Sequence, residues 1–409
     1  MHPATVDRVL AAAVARGDVP NVVAIAADRD GPVYEGAFGP RVAGTPDPVT
    51  PDPANANANA PANANANAKN DPITADSLLR IASMTKVVAT VAALREVESG
   101  LVELDAPVDT YLPDVAGLGV LVGFDGDTPK LRPPASRATV RQLMTHTAGF
   151  GYWFANEELA RWQAVTGTPH GASGSRRIFE APLTSDPGTR FEYGISADWL
   201  GRMVEAVSGL SLDRYLDAHV FGPLGMHRTT FWPTPGQRAG SVPVHVRGEH
   251  GGWLAIDFDG PVPPEYPSAG AGLFSTPRDF LAFQRMLLGG GVLGEVRILG
   301  EASVEAMFRN QIGALDFPAT IGSSEPTVIS DLNFGPGLKW GLGVLLNTVR
   351  RPGLRATGSG GWSGALNTHF WVDRRGGLTS AIYTQSLPML EPGALRAYVE
   401  FERALYTAI

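Results

Sequence analysis

Ser83-Met84-Thr85-Lys86 places a hydroxyl and an amine three residues apart at the head of an apolar stretch, Val87 to Leu94. Residues i and i+3 of a helix share a face, so Oγ and Nζ can meet without any long-range folding argument. A serine hydroxyl is a weak nucleophile until a neighbouring base takes its proton, and a lysine is that base only when its pKa falls. Burial among Met84, Val87, Val88 and Val91, together with the positive end of the helix dipole, is expected to push Lys86 down. Moving it from about 10.4 to about 7 is roughly 4 kcal/mol of differential stabilisation, which burial can supply. The pattern S-x-x-K recurs by chance. This chain, however, has four lysines (Lys69, Lys86, Lys130, Lys339) among 33 basic residues, and of these only Lys86 has a serine three positions before it.

Acyl transfer through such a pair also requires a proton shuttle to the leaving group and donors for the developing oxyanion. Phe191-Glu192-Tyr193-Gly194-Ile195-Ser196-Ala197-Asp198-Trp199 offers Tyr193 on a loop just before a helix. A phenol there, close to a lysine, exchanges protons with Ser83 and with a departing alkoxide. Gly358 to Ala365 reads as a glycine-rich edge or turn feeding a strand over 366–372, where substrate can approach backbone N–H groups closely. The N–H of Ser83 and one from this edge would then form an oxyanion hole. Tyr152-Trp153-Phe154 is an aromatic cluster suited to line an acyl or alcohol pocket, with ordinary core packing as the competing use.

The elements that must position these residues follow from pattern and punctuation. Residues 5–16 read as an amphipathic helix ended by Gly17, and the apolar runs 22–27 and 33–38 flank Asp30-Gly31 as a β-hairpin. Alternating Ala and Asn over 54–68, within a low-complexity stretch of about 50–70, predicts a surface loop. A helix from Ser83 to Ser99 stops at Gly100. Residues 101–264 carry helical patterns at 139–146, 197–208 and 212–219 between Pro- and Gly-rich loops. Strands return at 342–346, 366–372 and 378–385, and a helix over 391–407 follows. Strands near both ends with helices between them predict one sheet assembled from the two terminal regions, with a helical domain inserted. In numbers, 1–82 and 265–409 form a discontinuous α/β domain and 83–264 a mainly helical one, with the Ser83 helix at their junction, where pockets tend to form.

Composition narrows the chemistry further. The 409 residues are 44% hydrophobic and 18% charged, an ordinary globular balance. A net charge of −8 argues against nucleic acid or an anionic membrane as partner. Cysteine is absent, which excludes disulfides, thiolate metal sites and a cysteine nucleophile. The eight histidines are scattered without metal-ligand spacing, no glycine loop is placed to cradle a phosphate, and no metal or cofactor is expected. With neither a signal-peptide pattern nor a long apolar run, a soluble cytoplasmic protein is the expectation.

Taken in register, these motifs resemble the serine β-lactamase-like hydrolases of class C type, including the family VIII carboxylesterases. That family carries an S-x-x-K helix, a tyrosine motif and a glycine-containing strand motif in this order. The resemblance extends to Gly100–Val108, Leu143–Gly149 and Ser268–Thr276. Gly123-Phe124-Asp125 and the stretch from Tyr193 to Trp199 are also similar to fungal acyltransferases of secondary metabolism. The resemblance implies a β-lactamase/transpeptidase-like fold, Ser83 as nucleophile, Lys86 as general base, Tyr193 as proton relay, and Ala365 N–H beside that of Ser83 in the oxyanion hole. Tyr152, Trp153, Trp362, Ser363 and Gly364 are the expected substrate-binding residues, and the expected partner is a small-molecule ester or acyl donor. His146, in the family's Thr-His-Thr segment, is expected to be structural.

Departures from the family pattern sharpen the expectation. Penicillin-recognising members have Lys-Thr-Gly where this chain has Trp362-Ser363-Gly364, and the asparagine that follows the tyrosine is Ile195 here. Losing that lysine removes the cation that draws a substrate carboxylate, which argues against β-lactams and for esters. The same loss leaves a resting tyrosinate at Tyr193 less stabilised, so Tyr193 is expected to relay and Lys86 to act as base. A Ser-His-Asp hydrolase is excluded: Gly361-Trp362-Ser363-Gly364-Ala365 misses G-x-S-x-G at its last position, and His369 follows too soon to be the base. Hydrolysis of an ester, or transfer of its acyl group to an alcohol or amine, remain the two outcomes. They share every step up to the acyl-enzyme.

Overall fold

The computed structural model describes residues 3–44, 71–258 and 263–408. The Ala-Asn stretch at 54–68 lies outside the described residues. Seven strands form the main sheet: β1 (Val22–Asp28), β2 (Pro32–Phe38), β3 (Lys339–Trp340), β4 (Leu345–Leu346), β5 (Gly360–Gly364), β6 (Thr368–Asp373) and β7 (Leu378–Tyr383). Six helices position the site: α1 (Pro3–Ala15), α2 (Thr85–Glu98), α3 (Val140–Met144), α4 (Ser196–Ser208), α5 (Pro277–Leu288) and α6 (Pro392–Ala408). The strand order is β3-β4-β5-β6-β7-β1-β2, antiparallel throughout. The sheet is thus built from both terminal regions, as expected.

Period-two alternation divides each strand between two cores. Val22, Ala24 and Ala26 of β1 face Val6 and Leu10 of α1 and Phe401 and Leu405 of α6. Val23, Ile25 and Ala27 face the other way, into the core shared with Phe280, Phe283 and Met286 of α5. Because both faces are covered, the strands read as continuous apolar runs rather than alternating ones. The β1–β2 turn is closed by Asp28, whose carboxylate accepts from the N–H of Asp30 and of Gly31, both at 2.9 Å.

The middle of the chain, expected to be mainly helical, also contains two antiparallel hairpins, 120–125 with 128–132 and 244–247 with 253–256. Two strand readings need correction. The edge expected to feed a strand is itself β5, paired on both sides by β4 and β6. The strand expected over 342–346 shortens to Leu345–Leu346. Helix α5 escaped the pattern reading although Thr276 caps it, accepting from the Asp279 N–H at 3.1 Å, with Pro277 in its first turn.

Helix α2 is buried on nearly every side, from Thr85 to Leu94. Its β-branched Val87, Val88, Thr90 and Val91 are mediocre helix formers. Tertiary burial therefore holds it, each enclosed valine contributing about 1.5–3 kcal/mol. Ser83 is not in this helix. It sits in a 3₁₀ turn, Ala82–Met84, that leads into it, and the i and i+3 side chains of such a turn lie almost eclipsed. Ala82 holds φ at 44°, a left-handed conformation that costs an alanine about 1–2 kcal/mol.

Candidate active site

Four segments converge on the Ser83 turn. The first is α2 itself, which brings Lys86 Nζ to 3.1 Å from Ser83 Oγ. The second runs through residues 268–275 beside that turn, held by Ile81 N–H to Leu273 O at 3.1 Å and Leu273 N–H to Thr85 Oγ1 at 3.2 Å. It delivers the Gly270 carbonyl, which accepts from Lys86 Nζ at 2.7 Å.

The third segment pairs residues 146–152 with 188–194. Glu192 N–H bonds His146 O at 2.7 Å, and a Cβ on Gly194 would lie 2.0 Å from Phe150 O, so only glycine permits this approach. Two phenols reach the lysine in consequence. The Tyr152 hydroxyl lies 3.0 Å from Nζ, and the Tyr193 ring centroid is 4.9 Å from it. The fourth segment is β5. A Cβ on Gly364 would meet Ile81 O at 2.4 Å, so this glycine lets the strand end press against the Ser83 turn and brings Ala365 beside it. Trp362 donates from Nε1 to the Tyr193 hydroxyl at 3.1 Å.

Lys86 is enclosed, only 2% exposed, and an ammonium there finds three partners, the Ser83, Tyr152 and Gly270 oxygens. The expectation of a depressed pKa is overturned. Burial does pull Lys86 down, but interaction with Tyr152 and Tyr193, the hydrogen bond to Tyr152 and buried Asp198 outweigh it, and the net shift is upward. Gly270 O explains part of this, because a carbonyl only accepts and so favours a proton on Nζ. Tyr152 is pushed up as well, by burial above all and by Asp198, with Lys86 opposing.

Sequence reasoning treated Tyr152 as a wall residue and did not single out Asp198 or Gly270. Tyr152 bonds the lysine directly and packs edge-on against Tyr193, 5.3 Å between centroids. Trp153 stacks with His170 at 4.4 Å on the same rim. Ser363 departs from its expected place. Alternation turns its side chain away from Trp362 and Tyr193, and its hydroxyl lies 2.7 Å from His369 Nδ1 on the α6 side of the sheet. His146 is buried, its ring packed on Tyr193 at 5.0 Å and on Trp340 at 5.4 Å, while its Nδ1 has no hydrogen-bond partner among the described residues. Burial, then Lys86, holds it well below the ordinary imidazole range, hence neutral.

A strap over 316–338 joins the two aromatic walls. Phe317 stacks on Trp340 and Phe334 on Trp362, each at 5.9 Å, while the Ser324 N–H bonds Phe154 O at 2.8 Å. The described cavities of about 470 and 390 Å³ open elsewhere; neither is lined by Ser83, Lys86 or Tyr193. Among the described residues no cluster has the makings of a metal site, and no helix is long and apolar enough to cross a membrane.

A mixed fold with its antiparallel sheet drawn from both terminal regions, and a Ser-x-x-Lys turn at its helical face, defines a class of serine-dependent enzymes. The chain belongs to the β-lactamase family: the family model described as "Beta-lactamase" matches residues 6–405. Among its relatives, the lovastatin esterase of Penicillium rubens is 31% identical over 328 residues, covering 76% of this chain and 80% of that one. The monacolin J acid methylbutanoyltransferase of Aspergillus terreus is 30% identical over 351 residues, 82% of this chain and 83% of that one. The unliganded simvastatin synthase LovD from Aspergillus terreus superposes with a TM-score of 0.80 at 26% identity, over 99% of this chain and 98% of that one. Esterases and acyltransferases thus stand side by side among its relatives, and this chain is an enzyme of their family.

Proposed function

We propose that the protein is a serine carboxylesterase working through an acyl-enzyme on Ser83, with little or no β-lactamase activity. The observation that carries this reading is Lys86 Nζ, enclosed and bonded at once to Ser83 Oγ, Tyr152 Oη and Gly270 O. Ser83 Oγ attacks the ester carbonyl carbon while its proton passes to Lys86, the lysine–phenol cluster having first given up one proton to solvent. The oxyanion is received by the N–H groups of Ser83 and Ala365. The C–O bond to the alcohol then breaks, and Tyr193 passes a proton to the departing oxygen. Because the Tyr193 oxygen already accepts from Trp362, its own O–H remains free to point at the leaving group. Water repeats the sequence in reverse and releases the acid.

Aromatic Trp340, Trp362, Phe317 and Phe334 pack together on the third-motif side, and they offer no counter-ion to a β-lactam carboxylate. Neutral esters suit such a wall. A second reading, transfer of the acyl group to an alcohol or amine acceptor, is favoured by the strap, whose contacts with both walls would hinder water. The esterase and acyltransferase relatives accord with either outcome.

Intact-mass analysis tests the reading. Short-chain p-nitrophenyl esters and a fluorophosphonate are expected to leave one adduct on wild type and none on Ser83→Ala. Turnover with and without an added alcohol, products identified by mass, separates hydrolysis from transfer. Ester turnover that persists in Ser83→Ala would sink both readings.

A further inference from the structure

Asp198, in the first turn of α4, is a buried carboxyl that the acyl-enzyme scheme does not use, only 2% exposed. One of its oxygens is heavily engaged: Oδ1 accepts from Ser268 Oγ at 2.8 Å, Gly270 N–H at 3.0 Å and Tyr266 Oη at 3.5 Å. The other, Oδ2, has no hydrogen-bond partner among the described residues. A carboxyl buried so deeply with one oxygen idle is expensive for a fold to keep. Its partners explain where it acts. Gly270 gives its N–H to Asp198 and its carbonyl to Lys86 Nζ, so one residue links the two side chains. Nothing larger than glycine fits the link, because a Cβ there would lie 2.4 Å from Asp198 Oδ2 and 3.1 Å from Tyr152 Oη.

We infer that Asp198 is a positioning residue for acyl transfer: by clamping the Ser268–Gly270 turn it fixes the carbonyl that aims Lys86 at Ser83. The inference rests on Ser83 and Lys86 being the nucleophile and base proposed above. Without the clamp the Gly270 peptide is free to turn, Lys86 loses its carbonyl partner, and the ammonium becomes easier to deprotonate as well as worse placed. The titratable groups facing this arrangement are Tyr152, Tyr193 and His146 around Lys86, and Tyr266 beside Asp198. None of them supplies a second hold on the Gly270 N–H.

The test measures the fluorophosphonate labelling rate of Ser83 in the full chain against pH, with circular dichroism as the check on folding. Asp198→Ala is expected to slow labelling at least about tenfold at the plateau. It should also move the rising limb about one unit to lower pH. Asp198→Asn keeps an oxygen for Ser268 and Gly270, and is expected to recover most of the rate. If Asp198→Ala does not fold, Ser268→Ala removes one strand of the clamp and is expected to slow labelling about threefold, with the limb moving the same way. Unchanged rate and limb in Asp198→Ala and Ser268→Ala overturn the inference, and so does a folded Asp198→Asn as impaired as the alanine. Adduct on Ser83→Ala would instead overturn the underlying scheme, so the two failures are distinguishable.

Discussion

On one face of β5, Trp362 reaches the hydroxyl of Tyr193 and so the surroundings of Lys86. On the other, one residue along, Ser363 bonds His369, which stacks on Tyr398 of α6 at 4.4 Å. Each face holds a cation, enclosed on the Ser83 side and partly buried on the other. On the α6 side Arg355 is bound to Glu402 through two hydrogen bonds at 2.7 and 2.8 Å, and also to Tyr398. On the Ser83 side Lys86 is bonded by a hydroxyl, a phenol and a carbonyl, all neutral. An arginine locked to a carboxylate keeps its proton at any accessible pH and serves as a rivet. A buried lysine held charged by two phenols and a nearby carboxyl, with no carboxylate bonded to it, is able to pass its proton along. An ion pair and a lysine without a bonded carboxylate thus lie on opposite sides of one strand.

The sharpest way to break that contrast is at the Ser83 side. Ser83→Ala should lower ester turnover by roughly 10⁴-fold or more, measured with a p-nitrophenyl ester. Lys86→Ala should lose acylation almost entirely, whereas Tyr193→Phe, which keeps the ring and removes the relay, should lose about 10²-fold and still acylate slowly. Stopped-flow acylation with Tyr193→Phe the slower of the two would reverse the assigned roles.

The upward shift of Lys86 and Tyr152 gives a pH prediction whose sign is opposite to that of a depressed lysine. A raised pKa means the ammonium persists as pH rises, so the fraction of enzyme ready to take the Ser83 proton grows with alkalinity. The rate should climb about tenfold per pH unit, roughly a hundredfold between pH 7 and pH 9, rather than level off near neutrality. A flat profile over that range would restore the depressed-lysine view.

The α6 side should respond in stability alone. Arg355→Met leaves Glu402 buried without its partner and should cost about 3 kcal/mol, read as a lower urea midpoint, with kcat within about twofold. Ser363→Gly is the mildest change: loss of its bond to His369 should cost about 1 kcal/mol, with KM for a small ester almost unchanged. A large KM effect would return Ser363 to the substrate pocket.

Local order in the chain explains which of these features were legible beforehand. Ser83 and Lys86 lie within one turn, so spacing alone brought them together. Tyr193 and Trp362 were marked by motif, yet their hydrogen bond spans 169 residues. Ser363 was misplaced because its motif was read as a turn; read as a strand, alternation would have turned it away from Trp362. Gly270 and Asp198 were hidden for a different reason. Gly270 touches Lys86 across 184 positions, and nothing in its own neighbourhood announces a bond to a lysine. Sign of the Lys86 shift was illegible as well. Burial was visible in the apolar run, but the phenols and the carboxyl that outweigh it come from distant segments. Helix α5 did carry its signals, Thr276, Pro277 and an apolar stripe, and was simply overlooked.

The pairing of β1 with β7 has a consequence for how the molecule comes into being. Ser380 Oγ bonds Ile25 O across 355 residues, and β1 is flanked by β2 on one side and β7 on the other. A nascent chain leaving the ribosome must therefore carry β1 with one raw edge until residues 378–383 emerge. During that interval the hairpin is open to chaperones or to a neighbouring polypeptide. The exposure of that edge lasts as long as it takes to make the roughly 350 residues between the two strands.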